Sequence, residues 1–582
     1  MKASRILHAA AATLICQIHV SAEPQADAPG VTLEITGKSV ESNETSVHRD
    51  ARMAWWREAK FGLFIHWGVY AVPAGSYQGN DTYGEWIMHH AKIPVAEYRK
   101  FAGHFNPVKY DPATWAKIAK DAGMRYMVIT SKHHDGFALY PSDASTWDIA
   151  DATPYRKDLL GPLVTAARNE GLKIGFYYSH AQDWNNPGGG KSRFDEGQGW
   201  DDAQNGNFDE YLANLAVPQV HELLTRYRPD VLWWDTPIQM TGKRADALAA
   251  SLDLRPGIVT NNRLGAGYKG DTETVEQFVP VTAIPGDWET CMTMNAHWGY
   301  NAADQNWKST ADLIHKLAEI CAKGGNFLLN VGPDANGGFP PASVERLHEI
   351  GRWLDINGEA IYGTKAGPFT YLSWGYATRK GSRLYLHVCD WPEDGKLRVP
   401  LQSGVNNASL LASPDQKLEF TREDKRIVIS VPATAPDHIN TVIMLELDGE
   451  PQAVPLPSAG ARASATAAKP ENGPENLLDG TGAKRWIAPD TLKSASVQID
   501  LARASTISGF GFDEPDVWPR MKQKFLLEAG IAGVWTKVAD GNTVGHGARA
   551  SITPIDTRSL RITMECELGA PALAEVQFYS PE

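Results

Sequence analysis

Apolar, strand-like runs alternate with helical segments through most of the first part of this chain. The helix predicted for 111–123 has Asp111 as its N-cap and Pro112 at its first position, and it leads into an apolar strand at 126–130. The same order recurs along residues 51–363, which is the length and rhythm of a (β/α)8-like TIM barrel. An open doubly wound sheet is the alternative, but no Gly-rich phosphate fingerprint follows the first strand.

After the barrel the pattern changes to alternating strands separated by turn residues. Two such strands, 383–391 and 426–433, predict a small β-sandwich over residues 364–450. Residues 451–470 are rich in Pro, Ala and Ser and are predicted to be a linker to a separately folding unit. Residues 471–582 again have β character, which predicts a second β-sandwich. The expected fold class is therefore α/β, a barrel followed by two β-sandwiches.

The N-terminus has the features of a secretory signal peptide over residues 1–22. Lys2 and Arg5 precede an apolar stretch, and Val20-Ser21-Ala22 is a small-residue cleavage site. The apolar stretch is too short to span a membrane, and no later segment is long or apolar enough, so a secreted or periplasmic protein without a membrane span is expected. The net charge of −13 argues against nucleic acid as a partner. The sequence does not indicate an oligomeric state.

The four cysteines beyond the signal peptide have no metal-binding or disulfide pattern. They are scattered and lack CxxC spacing, so each is expected to be a buried free thiol. The residues are Cys291, Cys321, Cys389 and Cys566.

Polar side chains occur where the predicted barrel strands end, which is where barrel active sites lie. These strand ends carry His66, His133-His134, Tyr178-Ser179-His180, Asp235 and Asn262-Arg263. Neighbouring residues of an extended strand point in opposite directions. His133 and His134 can therefore face one ligand only if the chain bends, which Asp135-Gly136 would permit.

Three interpretations of this cluster compete. A zinc or iron site could use His66, His133, His134 and Asp235, but the chain has no HExxH or similar motif. The histidines could also be hydrogen-bonded core residues without a ligand. A sugar pocket is the third interpretation, because a monosaccharide presents several hydroxyls at fixed angles and an apolar face that packs on aromatic rings. The 19 tryptophans of the chain suit this third interpretation.

A series of motifs resembles the α-L-fucosidases of glycoside hydrolase family 29. The motifs are WWREAKFGLFIHWGVYAVPAGSY (55–77), YGEWIM (83–88), VITSKHHDGFALY (128–140), IGFYYSHAQDW (174–184), DVLWWD (230–235), DWETCMTMNAHWGYN (287–301) and GGNFLLNVGPDANGGFP (324–339). The resemblance implies a retaining, exo-acting enzyme that hydrolyses terminal α-L-fucose from fucosylated oligosaccharides or glycoconjugates by double displacement, without a cofactor. A catalytically inactive, fucose-binding, lectin-like protein is the alternative.

Carried over motif by motif, the resemblance also implies roles for individual residues. Asp235, which closes LWWD, corresponds to the nucleophile, and no metal is implied. The implied sugar contacts are His66, Glu85, Trp86, His133, His134, Tyr178, Trp233, Arg263 and Trp298. One departure from the family pattern is Thr236-Pro237, which replaces a Gly-containing turn common in relatives.

Two glutamates, Glu289 and Glu276, compete for the role of acid/base, and the resemblance leaves the choice open. Trp288 is adjacent to Glu289, and an apolar neighbour would raise the carboxyl pKa as a general acid requires. This argument favours Glu289.

The last block resembles a discoidin-type (F5/8 type C), galactose-binding-like domain. The motifs are NLLDG (476–480), VQIDL (497–501), FLLEAG (525–530) and LRITM (560–564). Such domains often bind carbohydrate and sometimes hold a structural calcium, and Trp518 is the candidate aromatic contact here. A spacer domain without a ligand is the alternative.

Overall fold

The computed structural model describes residues 44–192, 199–480, 484–514, 522–544, 547–567 and 569–581. The predicted signal peptide and Trp518 lie outside these ranges. Within them, no helix is both long and apolar enough to cross a membrane.

Eight parallel strands form the N-terminal sheet. They are β1 Phe61–Ile65, β2 Tyr126–Lys132, β3 Lys173–Ser179, β4 Val231–Asp235, β5 Val259–Thr260, β6 Glu273–Glu276, β7 Trp288–Thr293 and β8 Asn326–Val331. Their order is β5-β4-β3-β2-β1-β8-β7-β6. Just beyond β5, the Asn262 amide donates to the Thr272 carbonyl at 2.9 Å, which joins the two edges of the curled sheet. The predicted (β/α)8-like architecture is confirmed.

Helices alternate with these strands along the chain. They are α1 Ser46–Ala59, α2 Ile87–His90, α3 Val95–Tyr98, α4 Pro112–Asp121, α5 Leu160–Asn169, α6 Phe208–Tyr211, α7 Val217–Glu222, α8 Gly242–Ala249, α9 Thr310–Ala322 and α10 Pro341–Asn357. Two π-helical segments, Leu212–Ala216 and Leu223–Tyr227, flank α7. The Asp111 carboxylate accepts from the amides of Ala113 and Thr114, so α4 is capped as its sequence predicts.

The second domain is a β-sandwich built from antiparallel sheets. Its strands are β9 Lys365–Ala366, β10 Gly375–Lys380, β11 Arg383–Val388, β12 Lys396–Val399, β13 Val405–Leu410, β14 Ser413–Lys417, β15 Phe420–Glu423, β16 Arg426–Ser430 and β17 Thr441–Leu447. One sheet has the order β14-β13-β17-β11-β10-β9 and the other β12-β16-β15. Leu386 and Ile443 of the first sheet share a buried core with Leu397 and Ile429 of the second.

The third domain is a second β-sandwich. Its strands are β18 Arg462–Ala465, β19 Trp486–Ile487, β20 Ser494–Asp513, β21 Lys522–Ile531, β22 Val534–Val544, β23 Ala548–Cys566, β24 Ala572–Leu573 and β25 Glu575–Tyr579. Trp486, Ile499 and Phe510 lie in its core. Strand β18 pairs with β20, so the domain begins inside the segment predicted to be a linker.

Among the described residues, Cys291, Cys321, Cys389 and Cys566 form no disulfide. Cys291, Cys321 and Cys566 are buried, as expected from their apolar surroundings, whereas Cys389 is only partly buried.

Candidate active site

A cavity of about 540 Å³ opens where the barrel strands end. The residues that line it are Phe64, His66, Glu85, Trp86, His90, His133, His134, Tyr177, Trp233, Asp235, Thr236, Pro237, Arg263, Thr274, Glu276, Phe278, Cys291 and Trp298. Polar groups therefore converge with several aromatic rings, which is the composition of a ligand site.

A larger cleft of about 900 Å³ lies elsewhere, between the second domain, residues 451–457 and the chain end near Tyr579. Two arginines in its lining already have partners, since Arg398 pairs with Asp394 and Arg426 donates to the Pro581 carbonyl. The barrel cavity is the better candidate because it contains buried ionisable groups whose pKa values are shifted.

The end of β2 bends so that both adjacent histidines line the cavity. The register between β2 and β3 shifts between Thr130 and Lys132, which is a β-bulge. Gly136 has φ +71°, and a Cβ there would lie 2.5 Å from a carboxylate oxygen of Asp183. The His133 and His134 ring centroids are 4.1 Å apart. The bend predicted at Asp135-Gly136 is present, helped by the bulge just before it.

Neighbouring groups fix the tautomers of two of these histidines. His66 Nδ1 lies 2.7 Å from the Asn330 side-chain oxygen, and the Asn330 amide donates to the Trp298 carbonyl at 2.8 Å. The Asn330 oxygen must therefore accept, so His66 carries its proton on Nδ1. His134 Nδ1 lies 2.6 Å from Ser179 Oγ, whose own proton goes to the Gln182 carbonyl. Both imidazoles are left with an unprotonated Nε2 as an acceptor.

Burial keeps the cavity histidines uncharged. Loss of contact with water lowers the pKa of His66 to about 4, despite the opposing bond to Asn330. The same cause lowers the pKa of His134 to about 3, against the attraction of Asp235, and that of His133 well below its ordinary value. Neutral imidazoles at neutral pH suit ligand hydroxyls rather than anions.

Asp235 ends β4 and is held as a carboxylate. Tyr177 donates to its Oδ2 at 2.8 Å, and Arg263 Nη1 donates to its Oδ1 at 2.9 Å. Burial alone would raise the pKa of Asp235, but the positive charge of Arg263 and the hydrogen bonds that Tyr177 and Arg263 donate lower it to about 2. Asp235 is therefore ionised across the ordinary pH range.

Glu276 and Glu289 have different positions. Glu276 ends β6, lines the cavity and accepts from Arg263 Nη2 at 2.7 Å, so one guanidinium contacts both Asp235 and Glu276. Glu289 does not line the cavity. It is almost fully buried in the barrel interior, where its carboxyl group accepts from the Tyr126 hydroxyl and from Trp233 Nε1 at 3.2 Å.

Burial raises the pKa of Glu289 to about 7, although the Tyr126 and Trp233 donors oppose the shift. The direction agrees with the prediction, but the reason differs. Trp288 is the preceding residue on β7, and its indole donates to the Lys323 carbonyl. Because neighbours on a strand face opposite sides, Trp288 lies on the other side of β7 from the Glu289 carboxyl group.

Eight of the nine predicted ligand contacts line the cavity, namely His66, Glu85, Trp86, His133, His134, Trp233, Arg263 and Trp298. Tyr178 does not, because its hydroxyl donates to the Gln219 side chain of α7 at 2.9 Å, on the outer side of β3. Tyr177 takes the place predicted for Tyr178. Tyr177 pairs in register with Trp233 of the neighbouring strand, so the two side chains face the same side of the sheet. Because Trp233 was predicted to face the ligand, this pairing would have indicated Tyr177 as a contact.

The turn after Asp235 contains a strained residue. Thr236 has φ +50°, a region that a β-branched residue seldom adopts and that glycine adopts readily. Thr236 and Pro237 both line the cavity, so the departure from a Gly-containing turn puts two additional side chains on its wall.

The described residues offer no ready metal centre. Among them, no group of three or more His, Cys, Asp or Glu side chains is arranged to hold a metal ion. The same is true of the barrel histidines and of the described part of the third domain, a type of domain that sometimes holds a structural calcium.

The buried neutral histidines predict a loss of stability in mild acid. An unfolded histidine binds a proton near pH 6.5, whereas folded His66 does so only near its lowered pKa of about 4. Between these values the unfolded state binds more protons, so the free energy of unfolding decreases as pH falls. We expect the Tm of His66→Gln to fall less than the Tm of wild type when the pH is lowered from about 7 to about 4.5. His104→Gln, at an exposed position, is the control and should match wild type. An undiminished loss in His66→Gln would contradict the assignment.

Comparison with known proteins gives two matches that together cover most of the chain. Residues 31–359 match the family described as Alpha-L-fucosidase, and residues 461–574 match the F5/8 type C domain. Tissue alpha-L-fucosidase of Bos taurus is 32% identical over 427 residues, with coverage of 67% of this chain and 86% of that protein.

Solved structures are similar over the same region. Alpha-L-fucosidase isoenzyme 1 from Paenibacillus thiaminolyticus is 38% identical, with a TM-score of 0.63 and coverage of 69% of this chain and 99% of that chain. A GH29 alpha-L-fucosidase from Bacteroides thetaiotaomicron was solved as a trapped covalent intermediate with 2-fluoro-fucosyl fluoride. It is 32% identical, with a TM-score of 0.62 and coverage of 69% of this chain and 97% of that chain.

Proposed function

The chain belongs to the α-L-fucosidase family of glycoside hydrolases, and we propose that it is a retaining, exo-acting enzyme that removes terminal α-L-fucose from fucosylated oligosaccharides or glycoconjugates. The observation that carries this proposal is the pair of carboxylates in the barrel cavity, Asp235 and Glu276, which contact one guanidinium. A single Arg263 between them suits the separation of roughly 5–5.5 Å that retaining glycosidases require.

Asp235 is the proposed nucleophile. Its low pKa keeps it anionic, and the rigid end of β4 together with Tyr177 and Arg263 fixes its orientation. In the first step an Asp235 oxygen attacks the anomeric carbon, and the bond from that carbon to the leaving oxygen breaks. The covalent intermediate reported for the Bacteroides relative supports such a step here.

Glu276 is the proposed acid/base. It lines the cavity beside Asp235, whereas the Glu289 carboxyl group is buried and occupied by Tyr126 and Trp233. Glu276 gives a proton to the departing oxygen and later takes one from the attacking water, which cleaves the ester to Asp235 and releases fucose with its original anomeric configuration. These steps use side chains alone and need no cofactor.

The histidines and aromatic rings are the proposed binding contacts to the sugar. The Nε2 atoms of His66 and His134 accept from fucose hydroxyls. Trp233 and Trp298 provide apolar surface for the hydrophobic face of the ring. This arrangement favours a sugar pocket over the metal and core interpretations of the cluster.

Hydrolysis of an aryl α-L-fucoside followed by ¹H NMR tests the proposal. A retaining enzyme releases α-L-fucose first, and the β anomer appears only as the sugar mutarotates. Initial release of the β anomer would contradict retention. Fucose binding without turnover would instead support the lectin-like alternative.

We expect His66→Phe to lower kcat/KM on aryl fucosides by roughly 10- to 100-fold, because a hydroxyl partner is lost from a buried site. Added zinc or chelator should change neither wild type nor variant. His104→Phe, at an exposed position, should leave kcat/KM unchanged. Stoichiometric transition metal in active, purified protein would overturn the hydrogen-bonding role.

We also propose that the enzyme is exported, on the basis of the signal-like residues 1–22. Expression of the full chain should place activity in the periplasm or medium and shorten the N-terminus. Activity confined to the cytoplasm with an intact N-terminus would contradict export.

A further inference from the structure

The loop that follows Glu276 is held by the third domain. This loop, residues 277–287, joins β6 to β7 in the barrel. Asp513, the last residue of β20, accepts from the amides of Val281 and Thr282 at 2.8 and 2.9 Å and from the Thr282 hydroxyl. Arg549, near the start of β23, donates to the Val281 carbonyl at 2.6 Å. Two strands of a separate domain thus bind one short backbone segment.

These contacts are shielded from water and continue into the barrel. Asp513 is 7% exposed and Thr282 is 4% exposed. Arg549 lies 3.5 Å from Glu319 of α9, and Glu319 pairs with Lys323 at 2.6 Å. Lys323 in turn donates to the carbonyl of Pro280 in the same loop. The loop is therefore fixed between α9 and the third domain.

The fixed segment is close in sequence to the cavity wall. Phe278 and Glu276 both line the cavity, only a few residues before Val281. Between them, Gln277 has φ +68° and donates its amide to the Cys291 carbonyl at 2.9 Å. A shift of Val281 and Thr282 would be transmitted through this short stretch to the Glu276 carboxyl group.

We propose that the third domain positions the acid/base, with Asp513 and Arg549 as positioning residues that hold the loop directly after Glu276. This inference rests on the proposed role of Glu276. The domain then contributes to turnover itself, whether or not it also binds carbohydrate.

The test uses Asp513→Ala in the full chain, with two substrates. On a fucoside with a poor leaving group, kcat should fall by about 10- to 100-fold, because a displaced acid cannot protonate the departing oxygen. On dinitrophenyl α-L-fucoside, whose leaving group departs without protonation, kcat/KM, which reports the first step, should change by less than about threefold. KM on the fucoside with the poor leaving group should change little. Hydrogen exchange in residues 277–287 should become faster.

Asp500→Ala is the matched control. Asp500 also lies on β20, but among the described residues its carboxylate bonds to side chains of the third domain, Ser559 at 2.6 Å and Gln498. It should show wild-type kinetics and wild-type exchange in the loop. If Asp513→Ala does not fold, Thr282→Val removes the hydroxyl bond alone and should give the same substrate pattern in weaker form.

Glu276→Gln, assayed in parallel, separates the two proposals. If it lacks leaving-group dependence, the acid/base assignment fails, and the positioning inference fails with it. If Glu276→Gln shows the dependence while the folded Asp513 and Thr282 variants match Asp500→Ala, or slow both substrates equally, the positioning inference alone is overturned.

Discussion

Asp235→Gly is expected to lower kcat on aryl α-L-fucosides by roughly 10⁴-fold or more, since the covalent step loses its nucleophile. Fucose should still bind, because the proposed hydroxyl contacts come from His66, His134 and other residues of the cavity. The measurement is steady-state kinetics of the variant, together with fucose affinity by calorimetry.

Azide should restore part of this lost activity, since a small anion can occupy the space of the missing carboxylate and attack the anomeric carbon. Asp230→Asn is a suitable control, because Asp230 precedes the same strand at the opposite end of the barrel and bonds to the Ile174 amide. It should keep turnover near wild type and gain nothing from azide. Near-normal turnover in Asp235→Gly would remove Asp235 from the mechanism.

Much of the fold could be predicted from local patterns in the sequence. The cap at Asp111, the strand at 126–130 and the repeated helix-to-strand order are set by short-range chemistry, and the structure confirms the barrel. The start of the third domain could not be predicted from its composition. Arg462–Ala465 is polar and Ala-rich like a linker, and only its pairing with β20, more than thirty residues away, makes it a strand.

The site was predictable to the extent that strand ends define it. Asp235 ends β4, His66 follows β1 directly and Arg263 lies three residues after β5, and barrel geometry brings such residues together. It was harder to predict which side of the sheet a residue faces, because side chains at successive positions of a strand point to opposite sides. Tyr177 and Tyr178 illustrate this, since both are tyrosines and only the pairing of Tyr177 with Trp233 distinguishes them.

The surroundings of the Glu289 carboxyl group could not be predicted from the sequence. Its raised pKa follows from burial in the barrel interior and is opposed by Tyr126 and Trp233, which come from two other strands. No adjacent residue encodes that environment. A raised pKa is expected of a general acid, but a group without access to the cavity cannot transfer a proton to a ligand there.

Glu276→Gln should therefore be the variant with a leaving-group-dependent defect. On natural fucosyl linkages, kcat should fall by about 10²- to 10⁴-fold, because the departing oxygen is no longer protonated. On dinitrophenyl α-L-fucoside the first step needs no acid, so the glycosyl-enzyme should form and accumulate. The measurements are pre-steady-state kinetics and intact-protein mass, which should show the added fucosyl group. Azide should speed its release as α-fucosyl azide, because azide displaces Asp235 from the β-linked glycosyl-enzyme with inversion and needs no base.

Glu289→Gln is the matched comparison, a second glutamate altered in the same isosteric way. The substituted amide would keep its oxygen as an acceptor for Trp233, and its NH2 could donate to the Tyr126 hydroxyl, so it would resemble the protonated carboxyl group that a pKa of about 7 allows at Glu289. Any loss should therefore be small and similar on both substrates, and azide should not relieve it. If Glu289→Gln accumulated the glycosyl-enzyme while Glu276→Gln slowed both substrates equally, proton transfer would belong to Glu289. The Glu289 side chain would then have to leave its bonds to Tyr126 and Trp233 and enter the cavity during turnover.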